Sequence, residues 1–140
     1  MVRQYAYFLV TGCGIPDPVT DAVGVRPSEC HSDSDLNPRT GHPWGVMKWR
    51  LNSGESDNAS VQQHVDSLLL WLNRKPAAVK SLSDDYDLTL CIACWADDTF
   101  GLHLARDQTR LLGRLGIAID YDGYVASETS SAAVPNPDEP

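Results

Sequence analysis

Apolar residues recur along this chain with two periods, and the places where one gives way to the other mark the elements. In YDLTLCIACW the period is two. Leu88, Leu90, Ile92 and Cys94 fall on one face, and Thr89, Cys91, Ala93 and Trp95 on the other. Both sets are mostly apolar, which predicts a strand with both faces substantially covered. QYAYFLVT, residues 4–11, predicts a first strand. In WGVMKWRLN, Met47, Trp49 and Leu51 share one face while Lys48 and Arg50 share the other, the signature of one buried and one wet side. FGLHL, residues 100–104, reads as a short strand in hairpin with LTLCIACW. IAIDYDGY is the last strand, with Ile117, Ile119 and Tyr121 on one face and Asp120 and Asp122 on the other.

The helical period is clearest after Ser60. Val61, Val65, Leu68, Leu69 and Leu72 make one helical stripe, which Leu70 and Trp71 widen. Ser60 suits the N-cap, and Gln63 three residues on completes a capping box. Pro76 interrupts, and Ala77 to Leu82 resumes as helix. Pro-Asp-Pro opens a short helix from about Pro18 to Val23 that Gly24 ends. Asp107 opens another through Leu115, with Leu111, Leu112 and Leu115 inward and Gly116 at its end.

Residues 26–43, RPSECHSDSDLNPRTGHP, form a polar loop long enough to be functional. The tail from Ala126 lacks large apolar residues except Val134 and predicts a flexible terminus. The expectation is one α+β domain over residues 1–125, with a flexible tail over 126–140. Its sheet is mainly antiparallel, of four or five strands, with helices packed on one face. YFLVTG…VTDAVGV and FGLHL…LLGRLGI both run strand, helix, Gly and apolar residue, which points to a duplicated strand–helix unit.

Composition narrows the functional classes. The 140 residues favour one domain, and 42% hydrophobic content supports a real core. The formal net charge of -8 argues against nucleic acid, whose phosphates need clustered Lys and Arg, and against anionic membranes. It favours a basic protein partner, whose arrival it accelerates. The apolar run near the amino terminus is shorter than a secretory core of roughly 7–15 residues, and no segment approaches the ~18 of a membrane span. Four scattered cysteines do not make a disulfide scaffold. These readings predict a soluble, reduced, cytoplasmic protein.

Candidate chemistry is sparse. Cys91 and Cys94 have C-x-x-C spacing, but in a strand they point apart, with Cα atoms roughly 10 Å from each other. A disulfide needs about 7 Å or less. They read as two small buried hydrophobes. Cys30, His31, Asp33, Asp35 and His42 share the polar loop, yet no pair has metal-fixing spacing, and the loop reads as surface. Arg106, Arg110 and Arg114 fall on one helix face, which reads as its wet side. His64 lies in the long helix and His103 in a strand, neither with a Ser, Cys or Asp arrangement for nucleophilic catalysis. Cys13 in GCGIPDP lacks support as a nucleophile. Asp97, Asp98, Asp120 and Asp122 suit a patch for a basic partner better than a catalytic pair, since turns and a wet strand face expose them.

The order of these elements resembles the bacterial family catalogued as domain of unknown function 4279. The residues that carry the resemblance are the VGVRP corner, Trp44 after the polar loop, and the closing LGRLGIAIDYD. It covers nearly the whole chain except the tail. It brings no catalytic residues and no established activity, and it implies a role near bacterial toxin and immunity loci. The expected function is therefore a non-enzymatic protein-binding domain, an immunity-like protein that neutralises a bacterial toxin by occluding its active site. No cofactor and no metal is expected. The alternative is a small enzyme or metal-binding protein using the Cys30–His42 loop.

Overall fold

The structure, a computed structural model, describes residues 3–96 and 101–125. The strands are β1 (Arg3–Gly12), β2 (Glu29–His31), β3 (Met47–Asn52), β4 (Asp87–Ala96) and β5 (Ile117–Val125). The helices are α1 (Asp17–Val23), α2 (Val61–Leu72), α3 (Pro76–Leu82) and α4 (Arg106–Leu115). They form an α+β fold around a five-stranded sheet of order β2-β3-β1-β4-β5. Three pairings are antiparallel, and β4–β5 is parallel, so the sheet is mixed. Parallel neighbours need a crossover, and α4 supplies it. The tail expected over 126–140 lies outside the described residues.

Strand parity decides which side each residue takes. Ala6, Phe8 and Val10 of β1, Met47, Trp49 and Leu51 of β3, and Leu88, Leu90 and Ile92 of β4 point to one face. There they join Val19 and Val23 of α1, the stripe of α2, Val79 and Leu82 of α3, and the leucines of α4 in one core. All four helices thus lie on one side of the sheet. Trp49 is fully buried there, edge-on to Phe8, and its indole N–H donates to Thr20 Oγ1 at 2.9 Å.

The capping box of α2 forms as expected: Gln63 N donates to Ser60 Oγ, and Ser60 N donates to Gln63 Oε1. Leu70 does not widen its stripe. It is 73% exposed, because nine residues after Val61 places it about 180° around the helix. At the other end of the crossover, Gly116 closes α4 with φ 74°, in the left-handed region that glycine tolerates. A Cβ there would also lie 2.9 Å from Ser83 Cβ.

Two strand assignments differ from the sequence reading. β2 forms inside the polar loop, where Glu29, Cys30 and His31 pair with Arg50, Trp49 and Lys48. Conversely, no strand forms over 101–105, so His103 does not lie in a strand; Phe100 lies outside the described residues. Both edges of β4 are already taken by β1 and β5, which leaves no place for a hairpin partner. His103 N donates instead to the Gln62 side chain of α2 at 2.9 Å. The echo expected between YFLVTG…VTDAVGV and FGLHL…LLGRLGI loses its second strand, since none forms over 101–105, and keeps only a helix closed by a left-handed glycine, Gly24 or Gly116. Among the described residues, no helix is long and apolar enough to cross a membrane.

The stripe of α2 is testable by position. Leu68→Ala and Leu72→Ala each remove a fully buried side chain and should cost about 2–5 kcal/mol, whereas exposed Leu70→Ala should change stability by no more than about 0.5 kcal/mol. Denaturant melts of the three variants measure this, and equal losses at all three would contradict the packing.

Candidate functional site

The second face of the sheet carries no helix among the described residues. Its side chains are the other parity: Arg3, Tyr5, Tyr7 and Leu9 of β1, Lys48 and Arg50 of β3, Cys91, Ala93 and Trp95 of β4, and Asp120, Asp122 and Tyr124 of β5. Cross-strand registry puts Tyr7 beside Cys91, Cys91 beside Asp120, and Arg3 beside Trp95, which lies beside Tyr124. The rings stack: Tyr5 on Tyr7 at 6.2 Å, Tyr5 on Trp95 at 5.7 Å, Trp95 on Tyr124 at 5.0 Å. Two guanidinium groups lie over them. Arg3 sits 5.4 Å from the Tyr5 centroid and 5.9 Å from that of Trp95, and Arg50 3.7 Å from that of Tyr7. Arg50 was expected on a wet face, yet it is 8% exposed. The Tyr7 ring and Asn52 Oδ1, which accepts from its Nε at 2.9 Å, hold it down.

These contacts set the ionisation of the face. Burial raises the Tyr7 phenol far above its ordinary range, with the neighbouring Cys91 adding to the effect. Burial also raises the Cys91 thiol, as do Asp120 and Asp122, against a lowering hydrogen bond from Tyr7 and the nearby Arg50 charge. Cys94, on the helix side, is raised by burial alone. Both cysteines are free and buried, on opposite faces of β4, and hold their protons, so neither is set up as a thiolate nucleophile.

Where β1 begins and β3 ends, the sheet opens into a polar cleft of about 370 Å³. Ser53 continues the inward parity of Met47, Trp49 and Leu51, and His64 sits on the buried stripe of α2 between Val61 and Leu68. Their side chains meet, Ser53 Oγ against His64 Nδ1. Sequence reading gave His64 no serine partner, because eleven residues separate the two. The signal was there as one polar residue on each of two faces otherwise buried and apolar. Ser53 Oγ also accepts from Glu55 N at 3.2 Å. The hydroxyl has one hydrogen and two lone pairs, so the contact to Nδ1 is made by either tautomer of the ring. His64 is 2% exposed, and the backbone of Ser56 and Gln4 lies within hydrogen-bonding reach of its ring. Burial lowers the His64 pKa, opposed by the Glu55 and Asp57 carboxylates and the backbone of Ser56 and Gln4. Arg3, Arg50 and Tyr5 line the same cleft from the sheet side.

Of the four aspartates expected to meet a partner, Asp97 and Asp98 lie outside the described residues. Asp120 and Asp122 are exposed on β5, an edge strand, on the helix-free face. The polar loop is a folded unit. Leu36 and Pro43 form a bridge, and the rings of His31 and Trp44 stack at 4.3 Å. Asp33 Oδ2 accepts from Gly14 N and Asp35 Oδ2 from Ser32 N, so both carboxylates act as turn formers. Cys30 and His42 are exposed, and among the described residues no group of three His, Cys, Asp or Glu is placed to hold a metal. Arg106, Arg110 and Arg114 are exposed on α4, the last two beside a groove between α2 and α4. Cys13 is exposed in the turn after β1.

The lowered His64 pKa makes stability depend on pH. The unfolded chain takes up the proton near the ordinary 6.5, before the folded one does, so this contribution is full above that value and lost as pH falls toward the folded pKa. Thermal melts in a pH series should show stability dropping below about 6.5, and His64→Gln should flatten that segment. A variant with the same slope as the parent would remove His64 as its source.

Comparison with known proteins adds one match. The profile of the family described as Domain of unknown function (DUF4279) matches residues 3–126, which spans every strand and helix above. No curated protein and no solved structure matches the chain significantly. With its whole folded core inside the match, the chain belongs to the DUF4279 family.

Proposed function

We propose that this domain is a non-enzymatic, cytoplasmic protein-binding module that meets a basic partner through its helix-free sheet face. The narrower form of the reading is an immunity-like protein, in which the partner is a bacterial toxin and the face covers its active site. One observation carries it. A full face of a five-stranded sheet has no helix over it among the described residues, and it clusters rings and cations behind an acidic edge, with Arg3 and Tyr124 exposed, Tyr5 and Tyr7 half-buried, and Trp95 and Arg50 buried. Aromatic residues and arginine are the residue types enriched at the centres of protein interfaces.

The charge arrangement supports a division of labour. The chain carries a net -8, and Asp120 and Asp122 stand exposed at the β5 edge. Such an edge draws in a basic surface over about a Debye length, roughly 8–10 Å. The rings behind it then bury against the partner and set the off-rate. The protonated thiols and the occupied carboxylates of the polar loop favour this reading over an enzyme or a metal protein built on Cys30–His42.

The test begins with capture from the native host and mass spectrometry to identify the partner. Association kinetics at two salt concentrations then compare the parent with Asp120→Asn/Asp122→Asn. The double variant should associate more slowly and with a weaker salt dependence, with its fold intact. Unchanged association at low salt would show that this edge does not steer the encounter. No captured protein, together with a hit in a small-molecule turnover screen, would refute the binding reading itself.

A further inference from the structure

The two faces of the edge strand β5 differ in kind. On the helix-free face stand Asp120 and Asp122, neither in an ion pair among the described residues. On the helix side Ile117 is buried in the core at 7% exposure, yet Ile119 and Tyr121 are 43% and 44% exposed. Every residue from Ala118 to Tyr124 is exposed. Along the backbone, every second residue turns its N–H and C=O away from β4, and no strand lies beyond β5 among the described residues. Nine residues of strand can template a partner over roughly 30 Å. The carboxylates repel a second copy of the same edge, since like charges would meet across the pair. The exposed apolar area on the other face does the opposite, because a strand that covers it is stabilised. Such an edge rejects its own kind and admits a strand of complementary alternation.

We infer that β5 takes up an extended segment of the basic partner as an additional strand, one whose side chains alternate between basic and apolar. The inference rests on the basic-partner reading above and supplies the backbone contact that reading lacks. The main chain of the segment bonds the open edge. On the helix-free face its basic side chains lie across from Asp120 and Asp122, and a further one meets the exposed ring of Tyr124, two residues on. On the helix side its apolar side chains lie against Ile119 and Tyr121. A slip of one residue would set apolar groups on the carboxylates and cations on Ile119, so the two faces together fix the register.

The experiment uses the full chain labelled with 15N and capped peptides as long as β5. In the free protein the outward amides of β5 should exchange rapidly with solvent. A peptide of alternating lysine and valine should bind and protect them. The same residues arranged as one lysine block and one valine block should bind at least about tenfold more weakly, as should alternating glutamate and valine. Two further peptides carry backbone N-methyl groups, one on all valines and one on all lysines. One of the two should lose at least about tenfold, because one of these sets of N–H groups faces the edge. Ile119→Thr keeps strand propensity and removes apolar area, so it should weaken binding while the melting temperature of the free protein stays close to the parent's. If the block peptide or both methylated peptides bind as well as the alternating one, attraction is by charge alone; the strand inference is then wrong and the basic-partner reading stands. Slow exchange of the outward amides in the free protein would show the edge already occupied, by this chain or by a second copy, and would overturn the inference. Failure of the alternating peptide to bind would overturn it as well, and the partner capture above decides the basic-partner reading separately.

Discussion

The burial of Trp49 is the constraint on which the rest of the structure depends. Its indole occupies the middle of the helix side of the sheet, edge-on to Phe8, with its one polar atom satisfied by Thr20 of α1. That single hydrogen bond ties the first helix to the third strand. Parity then leaves β3 no choice on its other side. Lys48 and Arg50 must face away from the helices, and Lys48 reaches Glu29 of β2 at 3.2 Å while Arg50 lies over Tyr7. Tyr7 in turn stands beside Cys91, and Cys91 beside Asp120. The chemistry of the helix-free face is thus the mirror image of how the core is filled.

Much of this was legible in the residues. The α2 stripe, its capping box, the two-faced β4 and the glycines that end α1 and α4 all follow from local periods and caps, which depend on near neighbours in sequence. What was not legible depends on pairing over long separations. Nothing local in Glu29–His31 marks a strand. It pairs because β3 offers it a free edge. FGLHL has a strand pattern, and it loses its place because β5 arrives from beyond α4 to take the same edge of β4. The Ser53–His64 contact was hidden for the same reason. Each residue alone is an unremarked polar side chain, and only the packing of α2 over the end of β3 makes them a pair.

Sheet edges need protection from pairing with other chains, and the two edges here meet that need differently. β2 is three residues long, too short to template a partner. β5 is nine residues long and carries Asp120 and Asp122 on one face, with Ile119 and Tyr121 about half-exposed on the other. Charges on an edge strand repel a second copy of the same edge, which is a sufficient structural account of the two aspartates taken alone. The stacked rings are harder to account for that way. Trp95 is 3% exposed on a face without a helix, and its indole N–H finds no acceptor among the described residues. Edge protection does not need this aromatic cluster, whose exposed member, Tyr124, stacks on Trp95 at 5.0 Å and offers a contact surface its ring.

The same comparison separates the cleft from ordinary core packing. At the junction of β3 and α2 two aliphatic side chains would fill the space with no unmet donor, and a well-packed apolar replacement of a buried polar pair is often neutral or stabilising. Ser53 and His64 instead keep a polar pair there, and Ser53 Oγ also accepts from Glu55 N at 3.2 Å. The cost of burying the imidazole shows as its lowered pKa, which the Glu55 and Asp57 carboxylates oppose. Arg3 and Arg50 line the same cleft and lie over rings of the face, so the two environments share their cations.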